Sequence, residues 1–224
     1  MFIPLGTPLR LSDLGVTTPD IAILKRWIDI AIIDDEPFLR TAALRTHGFR
    51  LTELGGDIKS VEQVAAYPIV ICDIRGVGRA FGSPYEGAHV ISEIRKSYPD
   101  KFLIAYTGYT HDATYSAKLA LADASATKDA AIDYWTNVLE LGLRSVGDPK
   151  QRWIRFRSTL LAKGMELFDV LELEQAFIKS ITHRNSGLLL QRARKFDVSS
   201  EVMDLIVKFS SAALAEIIAH LASQ

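Results

Sequence analysis

The sequence predicts an α/β protein: a five-stranded parallel sheet wrapped by helices, followed by an all-α bundle. Three observations carry this reading. From Trp27 to about Gly147, short apolar runs alternate with helical patterns, and such alternation builds a parallel sheet. The apolar runs are hydrophobic on both parities, as strands covered on both faces must be. Beyond Asp148-Pro149 only long helical patterns remain. Within 224 residues this gives three segments: an N-terminal extension with a short helix (1–27), the α/β domain (28–147) and a helical domain (148–224).

In order, Thr18 and Pro19 mark the start of a short leading helix through "DIAILKRW". "IDIAII" (28–33) is the first strand, and it ends in Asp34, Asp35, Glu36 and Pro37. Phe38, Leu39, Ala42 and Ala43 recur at helical spacing before Gly48. "FRLTEL" (49–54) alternates as a half-buried strand, and Ser60 caps a short helix over 60–67. "PIVIC" (68–72) is a third strand, closed by Asp73. A Gly/Pro-rich loop leads to a helix over 88–98 with Val90, Ile91 and Ile94 on one face. "KFLIAY" (101–106) closes at Thr107-Gly108, "HDATYSAKLA" reads as a helix, and "LADASAT" is a fifth strand ending at Lys128. A helix over 129–143 completes the domain.

The tail reads as a helix from Pro149 to Gly164, a second to Gly187 and a short third over 188–197. A long last helix is capped by Ser199 or Ser200. Its apolar stripe is Val202, Leu205, Ile206, Phe209, Ala213, Ile217 and Leu221.

Composition removes several function classes. A net charge of −1 gives no bulk electrostatic case for nucleic acid or membrane. Residues 1–148 hold 15 Lys and Arg against 19 Asp and Glu, and residues 149–224 hold 11 against 8. That mild asymmetry is too weak to mark a DNA module. Cys72, the sole cysteine, precludes an intrachain disulfide and reads as a core residue, so a reducing, cytoplasmic setting is expected. No apolar run is long enough to span a bilayer. The histidines show no metal-ligand spacing, and "RWIRFR" and "QRARKF" read as amphipathic and solvated helix faces.

The notable polar residues fall together. In open parallel sheets ligands bind beyond the carboxyl ends of the strands. Asp34 and Asp35 end the first strand, Asp73 the third, Thr107 the fourth and Lys128 the fifth. Adjacent carboxylates repel, and three of them make a hard oxygen pocket suited to Mg²⁺. A carboxylate can also act as a nucleophile and form an aspartyl phosphate, with a lysine and a threonine binding the phosphoryl oxygens.

This ordered set resembles the receiver domain of two-component response regulators over about residues 28–147. The resemblance implies a flavodoxin-like sheet of order 2-1-3-4-5 with Mg²⁺ as cofactor. It makes Asp73 the phosphoacceptor, Asp35 a direct metal ligand and Asp34 its more water-mediated companion. Arg75 would supply a backbone carbonyl to the metal. Thr107 would be the switching hydroxyl and Lys128 the bridge to the phosphoryl group. The expected partners are a histidine kinase or phosphotransfer protein, and a protein partner or second copy through the helical tail. No separate catalytic domain is expected. The tail carries no helix-turn-helix signature, so nucleic acid is not the expected partner.

The chain departs from the family at several points. Asp129 follows Lys128 where proline is usual and is expected to compete for its charge. Ser125 stands where a switch aromatic is usual. Asp73 to Gly87 spans 14 residues, so residues 76–85 read as an insertion over the site. Arg75 and Tyr109 are bulky and would shield an aspartyl phosphate from water. These departures leave a competing reading, a pseudo-receiver that acts as a phosphorylation-independent scaffold. A haloacid-dehalogenase-like enzyme would need an aspartate where Arg75 stands, and no GxxxxGK[ST] or GxGxxG follows the first strand.

Overall fold

The computed structural model describes residues 8–15, 19–108 and 118–222. The chain divides into two compact units, Thr18–Asp148 and Pro149–Gln224 together with Met1–Thr17. The segment expected as one extension, residues 1–27, is thus split between them.

In the first unit, five parallel strands pair in the order β2-β1-β3-β4-β5. They are β1 (Asp29–Ile33), β2 (Arg50–Glu53), β3 (Ile69–Asp73), β4 (Phe102–Thr107) and β5 (Ala124–Thr127). Its helices include α1 (Ile21–Trp27), α2 (Thr41–Thr46), α3 (Glu86–Ser97) and α4 (Ile132–Gly147). Strand alternation divides the core in two. Ile30, Ile32, Ile69, Ile71, Phe102, Ile104 and Tyr106 pack with Leu24, Leu44, Trp135 and Leu139 from α1, α2 and α4. Ala31, Ile33, Val70, Cys72, Leu103 and Ala105 pack instead with Val90, Ile91 and Ile94 of α3. The central strands β1, β3 and β4 therefore need apolar residues on both parities.

Two expectations change. The helix α1 is capped by Asp20, whose Oδ1 accepts from the Ala22 N–H at 2.8 Å, rather than by Thr18, which lies outside the described residues. The expected helix over 60–67 contracts to a single 3₁₀ turn, Val61–Val64. Ser60 and Gln63 close a capping box there, but the chain must enter β3 within a few residues and has no length for an α-helix. The expected helix over 111–120 lies mostly outside the described residues.

The second unit holds α5 (Pro149–Ala162), α6 (Leu167–Thr182), α7 (Gly187–Ala193), α8 (Ser200–Lys208) and α9 (Ala215–Ala222). Ser199 is the cap of α8, accepting from the Val202 N–H. Trp153 stacks on Phe177 at 4.7 Å and Phe156 on Phe209 at 4.1 Å. Between α8 and α9 the chain makes a π turn, Phe209–Leu214. Apolar residues at 209, 213, 217 and 221 recur every four residues and outrun a 3.6-residue turn. The wider π turn takes up the excess, and Phe209, Ala213 and Ile217 all stay buried. Among the described residues no helix is long and apolar enough to cross a membrane.

Candidate functional site

The sheet face that packs against α4 turns polar at its last row. Stepping two residues along β1 from Ile30 and Ile32 reaches Asp34, and from Ile69 and Ile71 reaches Asp73. The same parity gives Tyr106 on β4 and, one step past β5, Lys128. Register brings these residues together: Ile33 pairs with Cys72, Asp73 with Tyr106, and Tyr106 with Ala126. Apolar residues thus hold the strands in place while the final row carries the chemistry.

Carboxylate oxygens of Asp34, Asp35 and Asp73 lie within 4.8 Å of one another. Asp34 and Asp73 are buried, at 5% and 2% exposure, whereas Asp35 is open to solvent. The Asp34 carboxylate accepts from the Glu36 N–H at 3.0 Å. Burial pushes the Asp34 carboxyl above the usual carboxylate range. The negative charges of Asp73 and Asp35 add to that push, against the Glu36 N–H and Lys128. Lys128 Nζ lies 2.7 Å from Asp73 Oδ2 and 3.8 Å from Glu36 Oε2. Burial alone would lower the Lys128 ammonium, but its hydrogen bond to Asp73 and the charges of Asp73 and Asp34 outweigh this and raise it. The Arg75 N–H donates to Asp73 Oδ1 at 3.3 Å. One lysine against three clustered carboxylates leaves excess negative charge in oxygen donors, a set that fits a hard divalent cation.

Two backbone segments confine Asp35. A Cβ on Gly56 would come within 2.6 Å of Asp35 Cβ, and one on Gly76 would meet the Asp35 carboxylate at 2.3 Å. The expected insertion is folded over this side. Val77 is buried, Gly78 N–H donates to Gly56 O at 2.9 Å, and Arg79–Phe81 form a 3₁₀ turn.

The remaining sequence-predicted residues behave less uniformly. Thr107 is the last residue of β4, pairs with Thr127 and accepts the Lys128 N–H at 3.0 Å through its carbonyl. It sits on the opposite parity to Asp73's neighbour Tyr106. Asp129 does not compete for Lys128 as expected. Its carboxylate takes a hydrogen bond from Thr127, which holds it below the usual range, while Arg40 reaches its carbonyl at 3.4 Å. All the described peptides are trans, including the one after Lys128. Ser125 is exposed, and its carbonyl accepts from the Tyr134 hydroxyl on α4. Arg75 is exposed, and Tyr109 lies outside the described residues.

Sequence reasoning missed two residues. Tyr106, 2% exposed, lies with its ring centroid 5.3 Å from Lys128 Nζ and packs edge-on against Phe38 and Trp135. Burial raises its hydroxyl, and the Asp34 and Asp73 charges add to this against Lys128. Strand parity could have found it. Glu86 is the other: its Oε2 accepts from the Gly76 N–H at 2.8 Å across the inserted loop. No spacing signals that contact.

No family model and no curated protein matches the chain. Among solved structures it is similar to a response regulator from Burkholderia pseudomallei with a phosphorylated aspartic acid, calcium ion and citrate. That likeness has 14% identity over 80% of this chain and 97% of the other, with a TM-score of 0.40. RcsB from Salmonella enterica serovar Typhimurium, bound to promoter rprA with BeF3⁻, matches at 15% over 81% and 98%, with a TM-score of 0.40. NtrX from Brucella abortus in complex with ATP matches at 20% over 69% of this chain and 35% of its own, with a TM-score of 0.45. Thr18–Asp148 itself has the expected flavodoxin-like sheet order, 2-1-3-4-5, with an acidic pair after β1 and an aspartate at the end of β3.

Proposed function

We propose that this protein is a response regulator that accepts a phosphoryl group on Asp73 with Mg²⁺ bound at Asp34, Asp35 and Asp73. The observation that carries the reading is the imbalance at the sheet's carboxyl edge, three carboxylates answered by Lys128. Arg75 would add its carbonyl to the metal, as the family resemblance implies. When bound, the cation neutralises the acidic cluster and the charge on the transferring phosphoryl group.

The protein's own residues do the rest. An Asp73 carboxylate oxygen attacks the phosphorus of a phosphohistidine or acyl phosphate. The new O–P bond forms as the P–N or P–O bond to the donor breaks, and that bond's electron pair leaves with the donor. Lys128, whose ammonium is hydrogen-bonded to Asp73 in the unphosphorylated protein, redirects that hydrogen bond to a phosphoryl oxygen. Thr107 supplies a hydroxyl from the end of β4. Burial of Asp34 and Asp73 limits water near the acceptor. The chain thus takes its phosphoryl group from a histidine kinase or phosphotransfer protein in the cytoplasm and carries no other catalytic activity. Its helical unit is the element through which phosphorylation alters partner or self association.

The test is intact mass after incubation with Mg²⁺ and acetyl phosphate, with Asp73→Asn alongside. One phosphoryl adduct on the wild type, absent from the variant, is the expected result. An unmodified wild type that also fails to bind Mg²⁺ and beryllofluoride would overturn the reading in favour of a phosphorylation-independent scaffold.

A further inference from the structure

The inserted loop returns to α3 through an unusual pair of residues. Glu86 has φ +46°, in the left-handed region that disfavours side chains. Gly87 follows, and a Cβ there would fall 1.7 Å from the Asp73 carbonyl oxygen. Gly87 also donates to Ile74 O at 3.1 Å. The backbone is therefore pressed against the end of β3, and Glu86 occupies a conformation that glycine would hold with less strain. A strained residue held in place by its surroundings points to use.

Its carboxylate has a specific task. Glu86 Oε2 accepts the Gly76 N–H at 2.8 Å, across the whole insertion. That N–H belongs to the 75–76 peptide. In a trans peptide the N–H and C=O point in opposite directions, so fixing the Gly76 N–H on Glu86 fixes the Arg75 carbonyl on the other side. The residues on both sides of this peptide lie against the cluster. The Arg75 N–H donates to Asp73 Oδ1, and Gly76 abuts the Asp35 carboxylate.

We propose that Glu86 is a positioning residue for the metal centre, holding the 75–76 peptide plane so that the Arg75 carbonyl and Asp35 are presented together to the cation. The inference rests on the metal reading given under Proposed function. A charged acceptor grips an amide more firmly than a neutral one, but an amide oxygen can still take the bond. Outer partners that orient metal ligands are typically worth about 10–100-fold in affinity.

The test uses Mg²⁺ titration calorimetry on the full chain, with thermal melts and the Gly76 amide resonance as companion readouts. Glu86→Gly removes the acceptor while suiting the backbone, so it should bind Mg²⁺ about tenfold more weakly yet melt no lower than wild type. Its Gly76 amide proton should move upfield. Glu86→Gln keeps an acceptor and should stay within about threefold of wild type. Unchanged Mg²⁺ affinity in Glu86→Gly would overturn the proposal. So would an equal loss in Glu86→Gln, which would assign the effect to charge. A wild type that binds no Mg²⁺ would instead overturn the metal reading itself, and this inference with it.

Discussion

Both units bury charge, and they do so differently. In the helical unit, Glu174 is 8% exposed and accepts from Trp153 Nε1 at 2.7 Å and from Arg157 at 3.0 Å. Arg152, 2% exposed, pairs with Glu216 at 2.9 Å. Each of these buried charges has an opposite charge beside it. At the sheet edge, Asp34 and Asp73 are as deeply buried, yet with Asp35 they share Lys128. Balanced charge explains itself as structure. Unbalanced charge, placed where open sheets bind ligands, is what the proposed cation would answer. Removing a carboxylate should therefore have opposite effects in the two units.

The largest effect is expected in the helical unit. Glu174→Ala strands the Arg157 guanidinium and the Trp153 N–H, and urea unfolding of the full chain should show a loss of about 3 kcal/mol. A loss below about 1 kcal/mol would mean that this cluster contributes little as a charge pair.

At the sheet edge the sign reverses. Asp34 has its carboxyl pushed upward in the fold, so its stabilising contribution is complete at low pH and fades as pH rises through the folded value. Once ionised, it works against the metal-free fold. Asp34→Asn should then stabilise that state at pH 7 by about 1 kcal/mol, with a gain that shrinks toward acid. Lower stability at pH 7 would break the comparison. Lys128→Met should sharpen it from the other side. With its ammonium gone, the cluster is more negative, and Mg²⁺ should bind about fivefold more tightly by calorimetry. Unchanged affinity would remove Lys128 from the electrostatic account.

The smallest effect concerns His220. Burial depresses its imidazole below the ordinary 6.5, against Glu216 and with help from Arg152. A depressed group gives stability that is present above its unfolded value and lost as pH falls through the folded one. Melts from pH 7 to 5 should decline, and His220→Gln should flatten that decline by under about 1 kcal/mol. An identical slope in the variant would contradict it.

Much of this edge was legible in the sequence because a buried strand that stops at an acid leaves a sharp boundary. Asp34 and Asp73 each follow an apolar run, Lys128 follows the shorter, half-polar strand Ala124–Thr127, and the pairing registers bring them together. The helix over 60–67 was not legible. Its capping box is real, but the entry into β3, not local preference, sets its length. The turn of Asp129 toward Thr127 depends on a side-chain choice between two neighbours, which residue order cannot express. Tyr106 was within reach of a parity argument. Glu86 was not, because its contact with Gly76 exists only once the inserted loop has folded.

The most direct measurement is the thermal stability of the full chain as Mg²⁺ is raised, compared with Asp34→Asn. A ligand that binds only the folded state stabilises it by RT ln(1 + [L]/Kd), about 2.7 kcal/mol at a hundredfold excess over Kd. The account predicts that the wild type melts lower than Asp34→Asn without Mg²⁺, rises with Mg²⁺ and overtakes it, while the variant hardly responds. A wild type already more stable than the variant without metal, or indifferent to Mg²⁺, would contradict the claim that the sheet edge is built around a missing positive charge.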